Sequence, residues 1–218
     1  MKYTASLVQL HIDKELVARR ADALSRGIPV ADEETLQFLL LTLGIKQPLR
    51  ILEIGTAVGL SGVAMLKACP NARLTTIELE EERLEEAKKN FADFGLSSRV
   101  TAYLGDAGEI LTMMDGEFDF VFLDGPKAQY EKYLFDLKRL MQNGAVLFAD
   151  DVLLYGWVSG EEPTPQKRHS IVDKLRSYLE KVTKDEDFTT SVLNVGDGVA
   201  LSVYKGVGKS VERREKNV

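Results

Sequence analysis

The chain has 218 residues, and its 28 Lys and Arg against 34 Asp and Glu give a formal net charge of −6, which argues against a coat of basic surface for nucleic acid. Its length suits one α/β domain, and 44% hydrophobic with 28% charged residues is the balance of a globular chain, which excludes intrinsic disorder. One cysteine, Cys69, excludes an internal disulfide and a cysteine zinc cluster, and two well-separated histidines, His11 and His169, leave carboxylates as the donors for any metal.

No apolar run reaches the roughly 18 residues of a membrane span, the longest near-candidate being Phe38 to Ile45. The opening MKYTASLVQLHIDKELVARR breaks its apolar positions with polar ones, so it is expected to be an amphipathic helix and not a signal peptide. These features point to a cytoplasmic enzyme with no membrane partner.

Residues 1 to about 47 are expected to form a helical appendage with a break at Gly27-Ile28-Pro29. The segment ADEETLQFLLLTLGI opens with an acidic first turn, as helices do, and Pro48 closes the unit. From there short apolar runs alternate with helical stretches. LRILEI, RLTTIEL, RVTAYLG, EFDFVFLD and GAVLFAD read as strands, the last following a turn at Asn143-Gly144. GTAVGLSGVAMLKACP, EEERLEEAKKNFADFG, DAGEILTMM and KAQYEKYLFDLKRLMQ read as the helices between them. After the loop VLLYGWVSGEEPTPQK come the helix RHSIVDKLRSYLEKV and two β-rich runs around Gly196-Asp197-Gly198, a hairpin signal. The expected fold is α/β, Rossmann-like and doubly wound. It has a seven-stranded, mostly parallel sheet with an antiparallel C-terminal hairpin, in a single domain with a polar tail from 206 to 218.

Ligands of such sheets lie beyond the carboxyl ends of the strands. Glu53-Ile54-Gly55-Thr56-Ala57-Val58-Gly59 ends the first strand, with Gly-x-x-x-Gly spacing that matches neither a dinucleotide fingerprint nor a P-loop. Glu78 ends the second strand, where a carboxylate would accept two ribose hydroxyls, and Asp106 ends the third, where it would meet an adenine. Glu53 would suit a ligand with an amino group. Each feature alone is explained by a turn glycine or a helix cap. Four in register describe a nucleoside lacking a pyrophosphate, and S-adenosylmethionine fits them.

Strand four ends at Asp124 and strand five at Asp150-Asp151, close enough for three carboxylates to converge. Like charges brought together call for a cation, and all-oxygen donors select Mg²⁺, then Mn²⁺ or Ca²⁺. Lys127, three residues past Asp124, would hold an ammonium over the same place. Were its pKa lowered, it would take the proton of an acceptor hydroxyl during methyl transfer.

LEIGTAVGLSG, TIELEEERLEEAKKNF, GDA, FLDGPKAQYEKY and DDVL resemble the metal-dependent O-methyltransferases of the catechol and caffeoyl-CoA type. The DDVLLYGWVSG loop, the KRHSIVDKLRSYL helix and VGDGVALS are similar to the bacterial tRNA 5-hydroxyuridine methyltransferases. The resemblance implies methylation of the wobble 5-hydroxyuridine of a tRNA anticodon loop to 5-methoxyuridine, with a small phenolic acceptor as the alternative, and a homodimer. It places Asp124, Asp150 and Asp151 on the metal ligands and Lys127 on the catalytic lysine. Glu78 falls on the ribose contact and Asp106-Ala107 on the adenine contacts. Ser61 and Val30 fall near the methionine end of the donor, and Asp124 touches both donor and metal. One departure is Asp151, where the family commonly has asparagine. For RNA, Tyr155 and Trp157 would stack on a base, and Lys167, Arg168, Arg176, Arg213, Arg214 and Lys216 would meet phosphates.

Overall fold

The protein is described here by a computed structural model over residues 3–206. Most of the polar tail, including Arg213, Arg214 and Lys216, lies outside the described residues. Seven strands form one sheet: β1 (Arg50–Ile54), β2 (Arg73–Glu78), β3 (Val100–Leu104), β4 (Phe118–Leu123), β5 (Met141–Ala149), β6 (Phe188–Leu193) and β7 (Val199–Tyr204). Their order is β3-β2-β1-β4-β5-β7-β6; the first five run parallel, and β7 pairs antiparallel with both β5 and β6. The expected mostly parallel sheet with an antiparallel end is what forms.

Strands β1 and β4 are buried on both faces, so their side chains alternate between two cores. Leu52, Ile54, Val121 and Leu123 face a core closed by α5 (Ala107–Met113), α6 (Tyr130–Leu140) and α7 (His169–Lys184). Ile51, Phe120 and Phe122 face the other, closed by α1 (Lys14–Ser25), α2 (Glu33–Lys46), α3 (Leu60–Ala68) and α4 (Glu81–Asp93). Asp119 is buried in β4 because its two carboxylate oxygens accept the backbone N–H groups of Leu49 and Arg50 at 2.8 and 2.9 Å.

Two local expectations change. The N-terminal helix starts only at Lys14, because the Asp13 side chain accepts the N–H of Glu15 and so caps it. Within that helix Leu16 is buried in the chain's own core, whereas Leu7 ahead of it and Val17 remain exposed. Asn143-Gly144 is not a turn ahead of the fifth strand but a bulge inside it. Phe118 pairs with Met141 and Phe120 with Val146, and Gly144 takes φ +77° to absorb the extra residues. Among the described residues, no helix is long and apolar enough to cross a membrane.

The chain runs outward from β1 to β3 and then crosses back to β4. The carboxyl ends of β1 and β4 are therefore adjacent at the point where strand order reverses, and the crevice expected of a doubly wound sheet opens there.

Candidate active site

A cleft of about 310 Å³ lies across the carboxyl ends of β1 to β4, and its lining includes Gly55, Ala57, Glu78, Asp106, Ala107, Asp124, Lys127 and Asp151. Its floor needs a glycine at 55. The residue sits at φ +98°, and a Cβ there would lie 2.3 Å from the Asp124 carbonyl oxygen, so the loops leaving β1 and β4 touch backbone to backbone. Asp124 closes the contact by donating its N–H to the Ile54 carbonyl at 2.9 Å.

Both nucleoside-side acids line the cleft, and both also cap backbone. Glu78 accepts the N–H of Ala57 at 2.7 Å on one oxygen and those of Leu79 and Glu80 at 3.0 Å on the other. Three donors take three of its roughly four acceptor positions and hold the carboxylate rigid at the mouth of β2. Asp106 caps α5 through Gly108 and Glu109. The same side chains thus cap backbone and line the cleft.

Glu53, Ser61 and Val30 are absent from that lining. Glu53 is fully buried beneath the cleft, accepting from Ser61 Oγ at 2.5 Å and Thr76 Oγ1 at 2.7 Å, and burial pushes its carboxyl up to about 7. Ser61 is occupied by that bond, and Val30 packs against the core on the α2 side while Pro29 lines the cleft in its place. Sequence reasoning did not single out Pro29, Leu79 or Pro126, all of which line the cleft. Leu79 carried a readable signal, a large apolar residue just past a strand end between Glu78 and Glu80, and the structure leaves it 61% exposed.

The three aspartates gather around one lysine without forming a ready coordination shell. Lys127 Nζ donates to Asp124 Oδ1 at 2.6 Å and pairs with Asp151 Oδ2 at 3.1 Å. Asp150, 1% exposed, turns Oδ1 onto the backbone N–H of Asp151 at 2.7 Å. Among the described residues no three acidic, histidine or cysteine side chains are set as a metal cage. The donor chemistry nonetheless fits a hard cation. Burial raises Asp124 and raises Asp150 well above the usual carboxylate range, and the negative charges of the trio push the same way, so one ammonium undercompensates three carboxylates. Asp151 sits at φ +55°, a left-handed position that Asp and Asn tolerate better than other side chains.

For Lys127 the expected lowering is reversed. Burial alone would depress it, but Asp124, Tyr130, Asp151 and Asp150 outweigh burial and hold it well above the usual lysine value. Tyr130 ties the two strand ends together by donating toward the carbonyls of Leu123 and Asp150 at 3.0 and 3.2 Å.

The loop past Asp151 is held in place by the β6–β7 turn. Val152 and Leu153 donate to the Gly198 and Asp197 carbonyls, and the Tyr155 N–H meets the Asp197 carboxylate. Tyr155 and Trp157 stand with ring centroids 5.0 Å apart, Tyr155 largely exposed. Arg176 donates to the carbonyls of Trp157 and Val158 and braces this loop.

Comparison with known proteins agrees with this geometry. Residues 4–205 match the family model described as O-methyltransferase. A catechol O-methyltransferase from Niastella koreensis is 34% identical over 205 residues, 88% of this chain and 91% of that protein. A candidate caffeoyl-CoA O-methyltransferase from Staphylococcus aureus superposes with TM-score 0.84 at 29% identity, covering 93% of this chain and 97% of that one. The O-methyltransferase TomG from Streptomyces achromogenes, involved in tomaymycin synthesis and solved in complex with S-adenosylmethionine, gives TM-score 0.79 at 29% identity over 94% and 95% of the two chains. With its whole fold and the cleft residues inside the matched region, this chain belongs to the O-methyltransferase family.

Proposed function

We propose that the protein transfers a methyl group from S-adenosylmethionine to one oxygen of a small acceptor carrying two adjacent oxygens, a catechol or a related phenol. The observation that carries this reading is the adjacency of Asp124 and Lys127. Asp124 lines the cleft with Glu78 and Asp106, and the Lys127 ammonium it holds lines the same cleft, within reach of an acceptor bound next to the donor. The catechol O-methyltransferase relative and the donor-bound TomG structure support the acceptor class and the donor.

The step is an in-line displacement. The acceptor oxygen forms a bond to the methyl carbon, the carbon–sulfur bond breaks with its electron pair going to sulfur, and the sulfonium becomes a neutral thioether. Glu78 and Asp106 orient the nucleoside, so that much of the acceleration comes from alignment. The hydroxyl proton passes to solvent water, and Lys127, held protonated by its neighbours, stabilises the negative charge left on the acceptor oxygen. Asp124, Asp150 and Asp151 would hold Mg²⁺, or Mn²⁺ or Ca²⁺, which when bound acidifies a coordinated hydroxyl.

A wobble-uridine acceptor in tRNA is the second reading. The observation favouring it is the Tyr155–Trp157 pair in the loop past Asp151, with Tyr155 exposed, on which a splayed base would stack. Against it, the ground around Lys127 is acidic: Asp197 feels the charges of Asp151 and Asp32 as well as that of the lysine. Methyl transfer from labelled donor, run in parallel on simple catechols and on tRNA carrying 5-hydroxyuridine, separates the readings. Turnover of the catechol with no label in tRNA supports the first. Label in tRNA alone, falling steeply as salt rises, overturns it in favour of the second.

A further inference from the structure

The glycine loop between β1 and α3 contains a residue in a costly conformation. Ala57 is not a glycine, yet it sits at φ +44°. Left-handed backbone at a residue with a Cβ persists only when its surroundings over-determine it. Two side chains do so here, from opposite sides. Glu78 takes the Ala57 N–H, and Asn90 of α4 donates Nδ2 to the Val58 carbonyl at 2.7 Å. Asn90 is 4% exposed, and the same face of α4 leaves no room for a side chain at 59, where a Cβ would lie 3.0 Å from both Ala87 and Phe91.

An asparagine amide can present either its oxygen or its nitrogen, and the Val58 carbonyl, which only accepts, selects the NH₂ end. Arg19 of α1 selects the same orientation through the other end and anchors it. Its Nη1 donates to Asn90 Oδ1 at 2.5 Å, which accepts only if the oxygen faces α1 and the NH₂ faces the loop. Arg19 is itself anchored by Glu15 at 2.8 Å and Asp93 at 3.0 Å, with its guanidinium 5.5 Å from the Phe94 ring centre. Arg26, the residue that caps the C-terminus of α1, pairs with Glu86 of α4.

We infer that α1 is part of the donor-binding apparatus: Arg19, acting through the Asn90 amide, holds the glycine loop in its donor-competent conformation. Arg19 and Asn90 are positioning residues, since neither lines the cleft. The inference rests on the S-adenosylmethionine reading of that cleft.

The test uses the full-length enzyme, with S-adenosylmethionine affinity measured by calorimetry, KM for the donor and kcat at saturation measured separately, and thermal midpoints recorded. N90D is the discriminating variant. The Arg19 contact becomes an ion pair, so the fold is kept, while the Val58 carbonyl loses its donor and faces a carboxylate. N90D and N90L are expected to raise Kd and KM for the donor about tenfold, the scale of one hydrogen bond, with kcat at saturation within about twofold of the parent. R19M, at a partly exposed position, is expected to raise them about threefold by removing the anchor on Asn90 Oδ1. A57G, which removes the cost of positive φ, should recover part of the loss in the N90L background. K138M, which breaks ion pairs with Asp185 and Asp187 away from the loop, should lower the thermal midpoint without changing donor affinity. Parental donor affinity in N90D, N90L and R19M would overturn the inference and leave only a structural tie. A parent enzyme that does not bind S-adenosylmethionine at all would overturn the donor reading itself, which the same titration reveals first.

Discussion

The Lys127 ammonium and the Asp124 carboxylate, 2.6 Å apart and only 13% and 24% exposed at their side chains, line one cleft together. Asp124 ties that cleft to the β1 loop by its backbone contact, and Lys127 adds a positive charge to the same lining. The pair is therefore a largely buried element of the cleft, not a surface salt bridge. K127M removes the cation and leaves three carboxylates facing one another. Turnover should fall by about 10²–10⁴, the range of a positioned proton-transfer or charge-stabilising group. Circular dichroism should still show the native α/β spectrum, since no core side chain is lost. Wild-type turnover in K127M would remove the lysine from the mechanism.

Glu53 offers a pH signature that does not depend on substrate. Burial raises its carboxyl from an ordinary 4.5 to about 7. The folded chain thus holds that proton more tightly than the unfolded chain does. Between about pH 4.5 and 7 the native state binds more protons, so this residue's contribution to stability falls as pH rises and is lost above 7. The size is roughly 3 kcal/mol. E53Q keeps the shape, and the Ser61 and Thr76 hydroxyls can rotate to suit an amide. Urea unfolding at pH 5 and pH 8 should show the parent losing stability relative to E53Q at the higher pH. Equal differences at the two values would mean that Glu53 is already ionised at pH 5.

What the sequence revealed and what it hid divide along physical lines. Strand and helix boundaries around the cleft were legible because buried parallel strands read as short apolar runs and the helices end at glycine or proline: Gly95 at φ +69° behind α4, Pro70 behind α3. Asp124, Glu78 and Asp106 were legible because a doubly wound sheet places its strand ends in one crevice. The depth of a residue was not. Glu53 and Gly55 are two positions apart, yet one lies beneath the floor and the other forms it, because the strand alternates and the loop does not. Nor was Asn90 legible, since on an amphipathic helix a polar residue at a buried position carries no mark of the carbonyl it serves. The brace that Arg176 gives the Trp157 and Val158 carbonyls was hidden for the same reason: charge is visible in sequence, but its partners are not.

The backbone contact under the cleft yields a prediction of its own. A Cβ at position 55 would collide with the Asp124 carbonyl carbon and oxygen at 2.7 and 2.3 Å, atoms that no side-chain rotation can move. G55A must push the β1 and β4 loops apart and also adopt φ +98° with a Cβ. The backbone strain alone costs about 1–3 kcal/mol. Because the displaced loop carries Asp124, donor affinity and turnover should fall together while the acceptor-side aromatic pair keeps its fluorescence. G55A with parental donor affinity would mean that the loops have room which the geometry does not show.

The aspartate trio makes a claim about metal that can be read without turnover. Burial and Asp151 raise Asp124, and burial, Asp124 and Asp151 raise Asp150, so Lys127 alone does not offset the cost of gathering the three carboxylates. A dication that binds the folded form and not the unfolded one adds stability by mass action, about 2.7 kcal/mol at a hundredfold excess over its dissociation constant. Mg²⁺ should therefore raise the thermal midpoint of the parent, EDTA should reverse the rise, and D150N should blunt it. Na⁺ at matched ionic strength should not reproduce the effect, because screening acts on all charges and not on this cluster. Activity should follow the same titration. A midpoint indifferent to Mg²⁺, with methyl transfer surviving EDTA, would leave the ammonium of Lys127 as the only cation the reaction uses and would assign the three carboxylates to holding it in place.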